Sequence, residues 1–317
     1  MKTHSSKLRP VLFSLLTGAV GTTGAVADDS LLGDPNSLLD GEQIAESTQL
    51  TDLVDPDFNF RLAAEASGGA SSADELAKKL SNPIASMISV PFQNNFDYGA
   101  GPDGDGIQFK TNIQPVIPFS LNEDWNLITR TIVPVIYQDD VNRNGSQFGL
   151  GDTLLSTWFS PKEPTKGGWI WGVGPVLYLP TGTDPDNGLG VNQWGGGATA
   201  IFLRLQGKFT YGMLINHVWG FDDSSSLAPE LSNTFVQPFF NYIPGGGWTF
   251  ALNTESSYNW QADDDELTMP INLSMKKMFK LGDTQAQWEL GGRYYVVKPD
   301  NAPEWGLRFT ITLLFPE

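Results

Sequence analysis

One period dominates this chain. From residue 84 to the C-terminus, apolar side chains recur at every second position, in run after run of mostly ten to thirteen residues. The last run is typical: Trp305, Leu307, Phe309, Ile311, Leu313 and Phe315 alternate with Gly306, Arg308, Thr310 and Thr312. A period of two is a strand with one apolar face. About twelve such runs can be marked, the first through Ile88, Val90 and Phe92 and the second through Ile107 and Phe109. Globular strands average about five or six residues, whereas a tilted strand needs about 9–11 to cross a bilayer. These runs have the longer length.

The connections alternate as well. LNED, PKEPTKGG, QGK, PGGG and KLGDTQ form one set; GAGPDGDG, QDDVNRNGSQ, TGTDPDNGLGVNQ, FDDSSSLAPELS, QADDDE and KPDNAPE form a second set, mostly longer and acidic. Short turns at one end and longer loops at the other fit an outer-membrane barrel. Trp125, Trp169, Phe209, Trp248 and Phe279 fall at the short-turn ends, and Tyr98, Tyr137, Trp194, Trp219, Trp260 and Trp305 at the loop ends, as two interfacial girdles would. A soluble sandwich or lipocalin-like barrel also alternates, but its polar face meets water and carries many charges. Here that face is mainly Gln, Asn, Thr, Ser and Gly. The expected fold is therefore all-β, a transmembrane antiparallel up-and-down β-barrel of about twelve strands spanning 84–317. Lipid offers no partner to a backbone N–H or C=O, so such a sheet must close on itself.

The N-terminus differs. Lys2, Lys7 and Arg9 precede a short apolar run and Ala25-Val26-Ala27, the pattern of a signal peptide (1–27) cleaved after Ala27. Its removal takes the net charge from −17 to −20. Residues 28–83 then read as a mostly disordered periplasmic leader rich in Asp, Ser, Gly and Ala, with a short helix expected at 73–82. An even strand number puts both termini at the short-turn side, so this leader is expected to stay in the periplasm without threading the pore. No run of about 18 apolar residues offers a membrane helix. The acidic balance argues against nucleic-acid binding, and the absence of cysteine removes thiolate chemistry. The location implied is the bacterial outer membrane, with lipid and lipopolysaccharide as surroundings.

On the final strand, Glu304-x-Gly306-x-x-Phe309-x-Ile311, with Phe315 beyond, resembles the signal read by the bacterial barrel-assembly machinery; Pro316-Glu317 departs from its usual aromatic end. The stretches NPIASMISVPFQNNFDYG, NIQPVIPFSLNEDWNLITRTIVPVIYQDD, GLGDTLLSTWFSP and WIWGVGPVLYLPT resemble the MetA-pathway of phenol degradation family of exported, outer-membrane transporter-like proteins, from about residue 80 to 317. The resemblance implies a role in moving aromatic or hydrophobic compounds and supplies no catalytic residue.

If the apolar faces meet lipid, the alternate positions line a lumen. They bring in Asp97, Lys110, Arg130, Glu255, Lys276, Glu289, Arg293 and Arg308 as pore-lining candidates. Asp97, Lys110, Arg293 and Arg308 fall at similar depth on strands that become neighbours on closure, so one charged patch is expected near the outer mouth, with Asp97 between basic side chains. Such a patch either selects an anionic or aromatic-acid solute or braces a narrow, plugged, structural barrel. The register of the fourth and the sixth to eighth strands stays open, because Asp152 and Leu155 each fall on an unexpected face in one register. A lipid hydrolase, the phospholipase-like alternative, would need a Ser–His pair; His217, the one histidine beyond the signal peptide, has no serine two residues on. The acidic pairs Asp139-Asp140 and Asp184/Asp186 and the triplet Asp263-Asp264-Asp265 could hold Ca²⁺ or Mg²⁺ bridging lipopolysaccharide phosphates, but without EF-hand spacing the leading reading is a solvated negative rim. No cofactor or bound metal is expected, and oligomeric state is not readable.

Overall fold

The computed structural model describes residues 73–142, 145–221, 231–264 and 266–315. The signal peptide, the leader up to residue 72, Asp265 and Pro316-Glu317 lie outside them.

The chain is a closed antiparallel barrel of twelve staves. In chain order its strands are β1 (Ile88–Ala100), β2 (Gly106–Ile113), β3 (Val116–Ser120), β4 (Trp125–Asp139), β5 (Gln147–Leu150), β6 (Thr153–Pro161), β7 (Trp169–Leu179) and β8 (Gly195–Gln206). They continue as β9 (Phe209–Gly220), β10 (Ser232–Gly245), β11 (Trp248–Thr254), β12 (Ser256–Asn259), β13 (Leu267–Leu281), β14 (Thr284–Val297) and β15 (Trp305–Phe315). Three staves are interrupted: β2/β3 at Gln114-Pro115, where proline has no N–H to donate to a ladder, β5/β6 and β11/β12. Closure is made by β1 and β15, in unbroken register from Ile88↔Phe315 to Tyr98↔Trp305. The wall begins at Ile88 rather than at 84.

Short hairpins join the staves at one end. Gly207 and Gly282 each take a positive φ there (62° and 60°), which a residue with a Cβ adopts only at a cost. The outer surface is apolar: Phe309, Leu307, Leu273, Leu290 and Phe250 are all exposed on it. No helix among the described residues is long and apolar enough to cross a membrane; the long apolar faces of this chain belong to its strands. Aromatic pairs mark the ends of the apolar band. Tyr98 stacks on Trp305 at 4.7 Å at the loop end, and Trp248 meets Trp288 edge-on at 5.7 Å toward the turn end.

The inner surface falls into two unlike parts. On β13, β14, β15, β1 and β2, inward positions are polar, among them Asn272, Ser274, Gln287, Glu289, Arg308, Thr310 and Asn95, all buried. On β4 and β6–β9 they are largely apolar. Ile128, Trp158, Ile201, Leu203 and Leu214 form a buried cluster within the lumen. This settles the open register: Leu154, Ser156, Trp158 and Ser160 point inward, while Leu155 and Phe159 point outward. Both faces of β6 are apolar, so alternation alone had no contrast to report.

Residues 73–80 form a helix and 81–87 a series of turns. The helix is slightly shorter than the expected 73–82, and its surroundings differ from expectation. Ala73, Leu76, Ala77 and Leu80 pack on Met87, Ile243, Met278 and Leu314, which face into the barrel, and Ile84 completes the Trp158 cluster. Asp74 accepts a hydrogen bond from the Gly247 N–H at 2.6 Å, Ser81 bonds Thr210 at 2.8 Å, and Asn126 donates to Ser86 at 2.9 Å. The described end of the leader therefore enters the short-turn end of the lumen. The apolar inner faces of β6–β9 need a partner other than water, and this segment provides it.

Candidate functional site

The site is the lumen, and its charged groups sort into a network. Glu255, in the break between β11 and β12, is the hub. Arg308 clamps it through two parallel bonds, Nη1 to Oε1 at 2.8 Å and Nη2 to Oε2 at 2.7 Å, the fork geometry that makes Arg–carboxylate pairs strong. Arg308 Nε donates to Asn95 Oδ1 at 2.8 Å. Arg293 reaches Glu255 Oε2 at 3.5 Å and Asp97 Oδ2 at 3.2 Å. Lys276 lies 3.5 Å from Glu289, which also accepts from Ser274 at 2.6 Å.

Gly306 explains how two of these partners meet. Arg293 and Asp97 sit on β14 and β1, on either side of β15, each paired with Gly306. A Cβ at Gly306 would overlap the Asp97 carboxylate. The missing side chain opens the gap across which the ion pair forms. Gly306 thus has a structural role inside the barrel, apart from any part in an assembly signal. Phe309, Ile311 and Phe315 lie on the opposite, outward face, with Phe309 and Phe315 exposed.

The expected patch is assembled, with one correction. Asp97 lies near Arg293 and within electrostatic reach of Lys110 and Arg308, but Arg308 spends its hydrogen bonds on Glu255. The hub is a carboxylate from the far wall, which depth along adjacent strands could not identify.

Arg130 stands apart. It lies inward on β4, where the polar and apolar walls meet, and among the described residues it has no ion pair within 4 Å. Its Nε is buried without a hydrogen-bond partner, and its guanidinium lies 5.4 Å from the Trp158 ring centre. Two cavities share it. One, of about 210 Å³, is polar and runs along Gln93, Glu255, Glu289 and Arg308 to Leu80 and Asn82 of the inserted segment. The other, of about 370 Å³, is mostly apolar and is lined by Ile132, Leu154, Val218 and Phe235, with Tyr178 and three asparagines. Val191 and Leu231, from the loop end, also line it. The loop carrying Val191 is tied down by Asp152, which accepts from the backbone N–H of Gly182 (2.8 Å) and of Val191 (2.6 Å).

Sequence reasoning missed Trp158, Asn216 and Asn233, because they lie on strands whose faces it could not assign, and Tyr178, on a strand for which it named no inward residue. It placed the helix but not its insertion into the lumen. The signal was present: Ala73, Leu76, Ala77 and Leu80 follow the i, i+3, i+4, i+7 spacing of a one-sided apolar stripe.

His217 points outward into the loop-end girdle. Its Nδ1 meets Thr234 Oγ1 at 2.6 Å and its ring lies 4.1 Å from that of Trp219. Trp260 donates to the same Thr234 oxygen at 2.8 Å. Nothing in this arrangement resembles a nucleophile–base–acid chain. Among the described residues, no three His, Asp or Glu side chains converge as a metal site would require.

No protein-family model matches this chain, and no curated protein matches it by sequence. Solved structures do. The COG4313 outer membrane channel from Pseudomonas putida F1 matches with a TM-score of 0.56 at 19% identity, over 72% of this chain and 94% of that one. The β-domain of the Bordetella autotransporter Brka (TM-score 0.37, 10% identity, 72% of this chain and 99% of that one) matches more loosely. So does a Pseudomonas aeruginosa FadL homologue (TM-score 0.33, 8% identity, 73% and 89%). The first likeness establishes shared architecture: an outer-membrane-type β-barrel.

Proposed function

We propose that this chain is an outer-membrane channel for small solutes with an apolar body and a negative end, held closed in this state by residues 73–87. The observation that carries the reading is Arg130, a cation that makes no ion pair within 4 Å among the described residues and stands between an apolar cavity on the loop side and a polar one behind it. A solute entering from the loop side would meet an apolar lining first and a positive charge next. The resemblance to the phenol-degradation family, and the description of the Pseudomonas putida structure as a channel, favour aromatic or hydrophobic cargo. On this reading the chain is exported, loses residues 1–27, and sits in lipid with lipopolysaccharide outside. The barrel-assembly machinery reads Gly306, Phe309, Ile311 and Phe315. Glu255, Lys276, Glu289 and Arg308 line the polar cavity beyond Arg130, and Asp97, Lys110 and Arg293 line the wall nearer the loop end.

A second reading, a plugged structural barrel, is favoured by the dense ion-pair network and the docked helix. Planar-bilayer recording separates the two. A channel gated by this segment opens on Ile84→Asp, which puts a charge into the Trp158 cluster, and its anion preference weakens on Arg130→Ala. A barrel that conducts in neither form, and admits no aromatic acid in liposome-swelling assays, is structural.

A further inference from the structure

We infer that the apolar cavity is a binding site for a single small monocarboxylate with a ring-sized apolar body, its carboxylate held by Arg130 and its body by Leu154, Val218 and Phe235. The inference rests on the reading of the lumen as a solute path and names the solute's chemistry.

Among the described residues, the cations of the inner wall are taken in turn. Arg308 is engaged by Glu255 and Asn95, Arg293 by Asp97, Glu255 and Asn272, and Lys276 faces Glu289. Lys110, like Arg130, makes no ion pair within 4 Å; it lies within reach of the Asp97 charge and borders neither of the two cavities. Glu255 acts on Arg130 from across the lumen, but both its oxygens are taken by Arg308. Among the described residues this half-buried guanidinium, its Nε enclosed and unbonded, has no ion pair within 4 Å, and such a group is costly to keep, so its retention points to a partner that comes and goes. The Trp158 ring lies against the guanidinium. If it covers the flat face, the edge with its N–H fork stays available, the edge that a carboxylate engages in two parallel bonds.

Two further polar atoms near the same place lack partners: Asn233 Oδ1, on the cavity wall, and Ser156 Oγ, whose residue pairs with Arg130 across β4 and β6. An amide can turn to offer N–H instead of oxygen, and a hydroxyl can donate. Asn233 offers a polar contact on the cavity wall, and Ser156 stands opposite Arg130 in the strand pair. The rest of the cavity is aliphatic and aromatic. Its volume of about 370 Å³ is near the lower end of the roughly 300–1,000 Å³ typical of small-molecule sites, which suits one ring or a short chain. A dicarboxylate would press its second charge against that apolar wall. A bare small anion would gain nothing from it.

The test is binding to the full exported chain, folded in detergent, followed by calorimetry with three probes: phenylacetate, its neutral amide and acetate. Phenylacetate should bind saturably. The amide should bind about tenfold more weakly or worse, as expected when a charged hydrogen-bond partner is lost, and acetate should show no saturable binding. Arg130→Gln should remove the difference between acid and amide. Val218→Trp, which fills the cavity, should abolish binding of both, and heat-shifted gel migration confirms that each variant is folded. Equal binding of acid and amide by the unaltered protein overturns the inference, as does unchanged acid binding by a folded Arg130→Gln. Should Arg130→Gln not fold, the acid–amide comparison in the unaltered protein decides alone. None of these readouts needs conduction, so a folded barrel that binds acid and amide alike sinks this inference and leaves the channel reading to the bilayer recordings.

Discussion

From β13 through β15 to β2, the lumen wall presents Glu289, Arg308, Asn95, Asp97 and Lys110. From β4 to β9 it presents Ile128, Trp158, Ile201, Leu203 and Leu214. Both halves fill a narrow barrel, and each must satisfy what it buries. The polar half does so internally, because each carboxylate it encloses has a cation within reach, and its geometry is fixed by those pairs. The apolar half has no internal partner and takes one from the same chain, the segment carrying Ile84. A wall closed by ion pairs stays closed unless charges are separated. A wall closed by a docked segment opens when the segment leaves. On the channel reading, the comparison therefore gives bracing to one half and gating to the other, with Arg130 at the boundary.

The largest effect should come from breaking the polar half at its hub. Glu255→Gln leaves the Arg308 fork and one end of Arg293 without a counter-charge in an enclosed site. The expected loss is about 3 kcal/mol or more, read as a lower urea midpoint for the folded barrel. The double variant Glu255→Gln/Arg308→Met should recover much of that loss, because a buried pair is often replaceable by apolar packing while a lone buried charge is not. If the single and double variants unfold alike, the network is not what braces this half.

The apolar half should break differently. Ile84→Ala removes a fully packed side chain from the Trp158 cluster and should weaken docking by about 2–4 kcal/mol. The barrel itself should keep its urea midpoint, since the wall's hydrogen bonds are untouched. The readout is faster proteolytic cleavage in the 73–87 segment, together with more frequent channel opening. A drop in the midpoint as large as that of Glu255→Gln would make the segment part of the brace and erase the distinction between the halves.

Gly306→Ala sharpens the polar side on a smaller scale. The added methyl displaces the Asp97 carboxylate and lengthens its bond to Arg293, with an expected cost of about 1–3 kcal/mol, typical of overpacking. Gly306→Ala combined with Asp97→Asn should cost less than the sum of the two changes, because both act on one contact.

How much of this could be read from residues alone follows the same division. On β1, β2 and β11–β15 one face is polar and the other apolar, so Asp97, Lys110, Glu255, Glu289, Arg293 and Arg308 were assigned inward from alternation, and closure of β1 on β15 followed from the apolar tail. On β6–β9 both faces are apolar, and nothing in Leu154-Leu155 or Ile201-Phe202-Leu203 says which residue meets lipid. The inner apolar face exists to receive a segment that the sequence presents as leader, so the two uncertainties were one. Distances across the lumen were also out of reach: the Glu255–Arg308 clamp joins residues from separate staves, and no local pattern relates them.

The smallest effect tests the comparison most finely. Lys276 and Glu289 are the most open pair in the polar half, with side chains 24% and 11% exposed to the cavity and a separation of 3.5 Å. Lys276→Met should change stability by about 1 kcal/mol, less than the hub variant, because the buried Glu289 keeps its bond from Ser274 and stays within reach of the Arg308 charge. It still removes one positive charge from the wall of the polar cavity. If that cavity is part of the path, the reversal potential in a salt gradient should move toward cations while the urea midpoint holds. Bracing and permeation would then be separable within one wall. If both stay fixed, the polar half is brace alone, and the path past Arg130 runs along the apolar wall that the docked segment vacates.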